Sequence, residues 1–418
     1  MSFLIAAPAS GSGKTTLTLG LLRALSQDDI VLRGAKSGPD YIDPRFHEAA
    51  CGQPCLNLDA WAMSPDRIQA LASGPPLIVE GAMGLFDGAP PHGKGACADL
   101  AKILNLPVIL VIDASRMAQS IAPIVNGFAG HDPDIKIAGV VLNKVGSIRH
   151  ETMLRDALRG TNIPAIGAIA RDATLTHPSR HLGLVQAQER PDLEAFLDQA
   201  ADVVRKSISL EELPPLTPIA QALKMQKIPP PAQTIAIARD AAFAFAYPHL
   251  LNDWQSAGAT IKTFSPLANE TVPAADLIYL PGGYPELHAG QLASNLHFLT
   301  SLKVAAQTTD IYGECGGYMT LGETLTDGDG IIHKMAGLLP LQTSFAKRKL
   351  HLGYRTITAT QGPFVGTWTA HEFHYASTIF AKGQPLFQAN DATGAQLLDM
   401  GLISGRVSGS FAHIIDQA

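Results

Sequence analysis

Residues 8–15 read Pro8-Ala9-Ser10-Gly11-Ser12-Gly13-Lys14-Thr15, set between an apolar run at 3–7 and a leucine-rich stretch at 17–25. A strand that ends in such a turn and opens a helix aims successive backbone N–H groups into one concavity, the geometry that surrounds phosphate oxygens. Pro8 stands where glycine is usual. Gly11 and Gly13 nevertheless keep the turn tight, Lys14 brings a phosphate-neutralising ammonium, and Thr15 offers a hydroxyl on the magnesium side. Nucleotide binding is the expectation. Further apolar runs at 77–79, 108–112 and 137–142, each followed by turn residues or a helical pattern, continue the rhythm of βαβ units on a parallel sheet.

With 418 residues the chain exceeds the length at which one core usually splits. Between 205 and 232 the pattern lapses into charged, proline-rich sequence, including Pro214, Pro215, Pro218 and Pro229, Pro230, Pro231. Prolines withhold backbone donors and stiffen the chain, so 205–232 is expected to link a first domain at 1–204 to a second at 233–418. Alternation restarts at 234–238, with a helical stretch near 243–257 and further strand-like segments at 277–280 and 309–312. Both domains are therefore expected to be α/β, and no internal repeat of 20–50 residues links them.

Bulk properties exclude some partners. A net charge of −6 opposes general attraction to nucleic acid or anionic membranes. The first apolar run is too short for a signal peptide, and no stretch approaches the roughly 20 apolar residues of a spanning helix. Four cysteines, Cys51, Cys55, Cys97 and Cys315, show neither zinc spacing nor disulfide density, which fits reduced thiols in a cytoplasm.

Other residues extend the phosphate loop into a site. Asp40 and Asp43 follow Lys36 in Lys36-Ser37-Gly38-Pro39-Asp40-Tyr41-Ile42-Asp43-Pro44 and suit a metal or substrate edge, or an ordinary solvated turn. Glu80 ends the run at 77–79, where a phosphate-loop fold aims a carboxylate at the metal. Asn143 ends another run with an amide that can both donate to and accept from a purine edge. Arg171, Asp172, His177, Ser179, Arg180 and His181 could hold a polycarboxylate or form a solvated basic surface.

A second constellation lies beyond residue 233. Tyr312-Gly313-Glu314-Cys315-Gly316-Gly317 places a cysteine between a strand and a helix, a turn that exposes the sulfur. A helix N-terminus there is expected to lower the thiol pKa. Gly283, in Pro281-Gly282-Gly283-Tyr284-Pro285, and Gly316 can offer N–H groups to an oxyanion. His413, about a hundred residues downstream, is the candidate base. His371-Glu372-Phe373-His374 carries its histidines three apart rather than the four of the helical zinc motif, so a structural or substrate-side role is expected.

Together these motifs give the chain a strong resemblance, over essentially its whole length, to the cobyrinic and hydrogenobyrinic acid a,c-diamide synthases. The resemblance implies a dethiobiotin synthetase-like ATP domain followed by a class I glutamine amidotransferase domain. It implies that Ser12, Gly13, Lys14, Thr15 and Thr16 cradle ATP with Asn143 beside it. Thr15, Asp40 and Glu80 would lie near magnesium, and Lys36, Tyr41, Ile42 and Asp43 at the substrate. Cys315 and His413 match nucleophile and base, but Ile415 stands where other amidotransferases carry Glu, leaving Asp416 as an untested third member. The implied substrates are glutamine and a corrinoid polycarboxylate. Neither the presence of cobalt in the ring nor the oligomeric state, a homodimer among the options, is legible. The alternatives are amidation of other corrinoid side chains, as by cobyric acid synthase, and a phosphate-loop switch ATPase that makes no amide.

Overall fold

A computed structural model describes residues 2–172, 179–180, 183–184, 186–220 and 227–418, with backbone alone at 179–180 and 183–184. The chain divides into two compact units, Met1–Met225 and Gln226–Ala418.

Among the described residues, the first unit is built on a parallel seven-stranded sheet: β1 (Phe3–Ala6), β2 (Arg33–Ser37), β3 (Leu56–Leu58), β4 (Leu77–Glu80), β5 (Val108–Asp113), β6 (Ile137–Val145) and β7 (Ala165–Ala170). Its order is β3-β2-β4-β1-β5-β6-β7. Strands β1 and β4 are buried along their length, as expected where helices cover both faces of a parallel sheet. The helices are α1 (Lys14–Gln27), α2 (Asp43–Cys51), α3 (Pro65–Ala72), α4 (Cys97–Leu104), α5 (Ile121–His131), α6 (Ile148–Leu158) and α7 (Leu193–Ser207). A short antiparallel pair, β8 (Ser179–Arg180) and β9 (Gly183–Leu184), precedes α7. Strand order reverses at β1, so a crevice opens at its C-terminal end, where ligands bind in open α/β sheets.

The expected linker begins too early at 205. Helix α7 runs to Ser207, Arg205 donates to the Ala24 carbonyl of α1 at 2.8 Å, and Ile208 is buried in the first unit's core. Gly20 permits this packing, because a Cβ there would lie 2.5 Å from the Ala200 carbonyl. Ile219 exchanges backbone hydrogen bonds with Gly74, so the prolines at 214, 215 and 218 lie in extended chain held on the first unit. Proline forbids regular pairing at its own position but not a docked extended path.

The second unit has a six-stranded sheet of order β11-β10-β12-β13-β22-β21, formed by β10 (Thr234–Ala238), β11 (Thr260–Phe264), β12 (Leu277–Leu280), β13 (Asp310–Glu314), β21 (Leu402–Ser404) and β22 (Val407–Ser410). All neighbours are parallel except β21 with β22. Its helices are α8 (Pro248–Ser256), α9 (Ala289–Ser294), α10 (Leu296–Ala305) and α11 (Gly316–Leu321). Two four-stranded sheets complete it. One is β14 (Thr324–Thr326), β15 (Ile332–Lys334), β16 (Leu341–Ser344) and β19 (Ser377–Ala381); the other, antiparallel, is β17 (His351–Ala359), β18 (Gly366–His374), β20 (Gln388–Asp391) and β23 (Ala412–Gln417). Among the described residues, no helix is long and apolar enough to cross a membrane.

Candidate active site

In the first unit the polar groups come from the C-terminal ends of β1, β2, β4, β5 and β6. Gly13, at φ 95°, caps α1 in the left-handed region, and a Cβ there would strike the Asn143 amide. That amide donates to the Ser12 carbonyl at 2.8 Å, while Lys144 reaches the Gly11 carbonyl at 3.0 Å and Asp113 at 2.6 Å. Asn143 thus braces the loop as well as facing a cleft of about 530 Å³ that Thr16, Arg116, Lys144 and Arg171 also line. That volume is within the range of small-molecule sites. Of the residues noted with Arg171, His177 and His181 lie outside the described residues, and Ser179 and Arg180 are described in backbone only.

Glu80 is the hub of a buried cluster. Thr15 Oγ1 donates to its Oε1 at 2.5 Å, Lys36 Nζ lies 2.9 Å from the same oxygen, and His47 Nε2 lies 2.7 Å from Oε2. Burial alone would raise the Glu80 carboxyl, but Lys36, His47 and Thr15 outweigh it and hold the group well below the usual carboxylate range. Lys36 also bonds Asp43 at 2.5 Å. Burial, with repulsion from Asp40, nevertheless raises Asp43 to about 8 against the pull of Lys36. Lys14 is lowered by burial, against Glu80, and donates to the Met83 carbonyl at 2.6 Å.

The two aspartates differ in position. Asp40 Oδ1 accepts the N–H groups of Ile42 and Asp43 at 2.7 and 3.0 Å, tying down the turn into α2. Asp43 is in the cluster with Lys36. Tyr41 and Ile42 are half-buried between them, and Ile42 packs on the core. His47 went unnoticed in the sequence because a lone histidine inside a helix carries no motif.

In the second unit, Cys315 follows β13 at φ 44° and ψ −99°, a strained turn for a residue with a Cβ and one that aims its side chain out of the sheet. Its N–H donates to the Ser410 carbonyl at 2.8 Å, joining the elbow to the strand that leads to His413. Gly282 packs against the His413 ring, since a Cβ there would strike Cε1 and lie 3.0 Å from Nε2. The Gly283 nitrogen lies 3.0 Å from where a Gly316 Cβ would stand, so both oxyanion candidates border one space. The sequence-based expectation of a lowered thiol pKa is reversed: burial pushes Cys315 far up, Glu286 adds to it, and the opposing Gly316 N–H is outweighed. The six-residue α11 is too short to supply much compensating dipole.

Glu372 accepts from Arg355 Nε and Nη2 at 3.0 and 2.7 Å and meets His374 Nε2 at 2.9 Å. His351, Glu372 and His374 bring ligand-type atoms within 4.8 Å of one another, but a guanidinium already neutralises the carboxylate and disfavours a cation there. His371 stands opposite His413 in the β18–β23 ladder and is lowered to about 3 by burial, with His413 and Arg355 adding to the effect.

Fold and sites define the class: a nucleotide-binding domain followed by a glutamine amidotransferase domain. A family model described as the CobQ/CobB/MinD/ParA nucleotide binding domain matches residues 3–185, and one described as the CobB/CobQ-like glutamine amidotransferase domain matches 234–418. The hydrogenobyrinate a,c-diamide synthase of Brucella anthropi is 53% identical over 428 residues, covering 99% of this chain and 98% of its own. That of Brucella abortus is 54% identical with the same coverages, and that of Mesorhizobium japonicum 48% identical, covering 100% and 99%. The chain belongs to the hydrogenobyrinate a,c-diamide synthase family.

Proposed function

We propose that the protein uses ATP and glutamine to amidate the a and c carboxylates of hydrogenobyrinic acid. The observation that carries this reading is the presence, in one chain, of a phosphate cradle and a cysteine elbow in the order found along the full length of the a,c-diamide synthases it resembles.

A carboxylate resists ammonia because its carbonyl is electron-rich and oxide is a poor leaving group. In the first unit a substrate carboxylate oxygen attacks the γ-phosphorus of ATP; the bond to ADP breaks and an acyl phosphate forms. Lys14 and the N–H groups of residues 11–15 spread the charge of that transfer. The Thr15 hydroxyl is a hard-oxygen donor at the cradle and fits magnesium, which takes few protein ligands beside phosphate oxygens and water, while Glu80, already paired with Lys36 and His47, would act on the ion through the Thr15 hydroxyl it accepts from. Magnesium bound there would supply positive charge at the phosphates. Lys36 and Asp43 border the same cluster and orient the reacting carboxylate, with Tyr41 and Ile42 shaping its pocket. Asp40 acts through the turn it ties down.

In the second unit the Cys315 sulfur attacks the glutamine side-chain carbonyl, and Gly283 and Gly316 donate to the oxyanion. His413 returns a proton to the leaving nitrogen as the C–N bond breaks, and water then releases glutamate from the thioester. Ammonia attacks the acyl phosphate, phosphate departs, and the nitrogen loses a proton to leave the amide.

The test is product mass after incubation with ATP, magnesium, glutamine and either hydrogenobyrinic or cobyrinic acid. Two amidations on the metal-free ring are expected; no amidation of either ring would sink the proposal.

A further inference from the structure

A histidine serving a cysteine nucleophile works best when a third group fixes its tautomer and orientation. Ile415 cannot do so. It is the extra residue of a bulge in β23, is fully buried, and gives its carbonyl to His249 Nε2 at 2.7 Å. Asp416 accepts the Gln417 N–H at 2.8 Å through Oδ1, and its carbonyl accepts from Thr369.

The residue that reaches His413 lies elsewhere in the chain. We propose that Glu314, immediately before the nucleophile, is the positioning residue for His413, an inference that rests on the amidotransferase reading of Cys315 and His413. Glu314 Oε2 lies 3.5 Å from His413 Nδ1, and both side chains are buried. Oε2 also accepts the Tyr279 hydroxyl at 2.7 Å, while Oε1 accepts the N–H of Ile414, the residue after His413, at 3.1 Å. One carboxylate therefore holds the backbone beside the histidine and faces its ring. A contact of 3.5 Å is long for a hydrogen bond, but such bonds are often long in free enzymes and tighten in the substrate complex.

The arrangement follows from the strand pairing. Glu314 stands opposite Ser410 in the β13–β22 ladder, so the chain that carries the nucleophile also delivers the carboxylate to the strand that leads into β23, where His413 lies. With Nδ1–H directed at Glu314, the lone pair is left on Nε2 of a ring whose Cε1 edge packs against Gly282. There it takes the Cys315 proton as the S–C bond forms and passes it to the leaving nitrogen, while the Glu314 side chain facing Nδ1 stabilises the imidazolium. Of the ionisable groups around His413, burial keeps His371 on β18 neutral, and Tyr279 on β12 is a donor to Glu314. Cys315 is the proton source.

The experiment uses the full chain and Glu314→Gln, Glu314→Asp, Asp416→Asn and Cys315→Ala. Glutamine hydrolysis and amidation with ammonium salts are measured across pH. E314Q should lower kcat for glutamine hydrolysis on the order of 10²–10⁴-fold with little change in KM. Its kcat/KM inflection for the base should move to lower pH, because the imidazolium loses its counter-charge. E314D should recover part of the rate, and ammonium-dependent amidation should persist. Wild-type-like hydrolysis in E314Q, or a loss confined to D416N, would overturn the proposal. If E314Q also loses ammonium-dependent activity, Tyr279→Phe decides: a lower kcat at unchanged KM supports the role of Glu314 and an unchanged kcat rejects it. Glutamine use surviving in C315A would instead reject the underlying amidotransferase reading.

Discussion

Burial raises the Cys315 thiol, and Glu286, Glu372 and Glu314 reinforce that effect, so on the proposed reading the thiolate forms by proton transfer when glutamine arrives rather than being stored in the free enzyme. Glu286 itself is buried, and burial raises its carboxyl to about 8, opposed by its own backbone N–H and by Arg348. The stability consequence has a definite sign. The unfolded chain releases this proton near the ordinary glutamate value of 4.5 while the folded chain keeps it to about 8, so stability falls as pH rises through that window. The slope is at most roughly 1.4 kcal/mol per pH unit from this one group. Glu286→Gln retains the shape and removes the titration. Its melting temperature should match the wild type near pH 5 and exceed it increasingly toward pH 8, as thermal unfolding across pH would show. A constant difference between the two proteins would reject the raised pKa.

The strand-to-helix turns carry the site, and they tolerate little added volume. At the end of β12, Gly282 lies against the His413 ring and Gly283 against the Ala242 carbonyl. Gly282→Ala must displace the imidazole or the turn, a strain of about 1–3 kcal/mol by the usual cost of overpacking. Glutamine hydrolysis should fall at least tenfold while ammonium-dependent amidation in the same preparation stays near wild type; equal loss of both would point to general unfolding. The Gly282-Gly283 turn was legible because it follows a fully buried parallel strand whose continuous apolar run stands out beside glycine, and the Cys315 turn because its cysteine sits among Gly313, Gly316 and Gly317. Strand β2, Arg33-Gly34-Ala35-Lys36-Ser37, was not legible. Its lysine, Lys36, is buried where Asp43 and Glu80 converge on it from elsewhere in the chain. The linker boundary failed for a related reason, since the apolar stripe of α7 that continues to Val204 and Ile208 outweighs the prolines that follow. Glu314 reads locally as a polar residue in a buried strand, and its contact with His413 spans 99 residues. No local pattern encodes that contact.

At the scale of the whole molecule, ammonia made in one unit is consumed in the other, and the two steps can be silenced separately. Lys14→Ala should abolish amidation with either nitrogen source while leaving glutamine hydrolysis, because its side chain lies in the phosphate loop of the first unit, where it donates to the Met83 carbonyl, and Cys315 and His413 belong to the second. Cys315→Ala should do the reverse, abolishing glutamine use and sparing ammonium-dependent amidation. Mixing the two variants then asks how nitrogen travels. Ammonia released to bulk water near neutral pH becomes almost wholly ammonium, which is no nucleophile, and it is diluted into the full reaction volume. A nitrogen passed within one chain escapes both losses, as any intramolecular delivery does relative to a bimolecular one. The equimolar mixture should therefore hydrolyse glutamine at about the rate of its competent half yet form amide far more slowly than wild type at equal site concentration, with the shortfall closing as ammonium salt is added. Product mass and glutamate release, followed together, decide the matter: a mixture that matches wild type would show that ammonia crosses through bulk solvent.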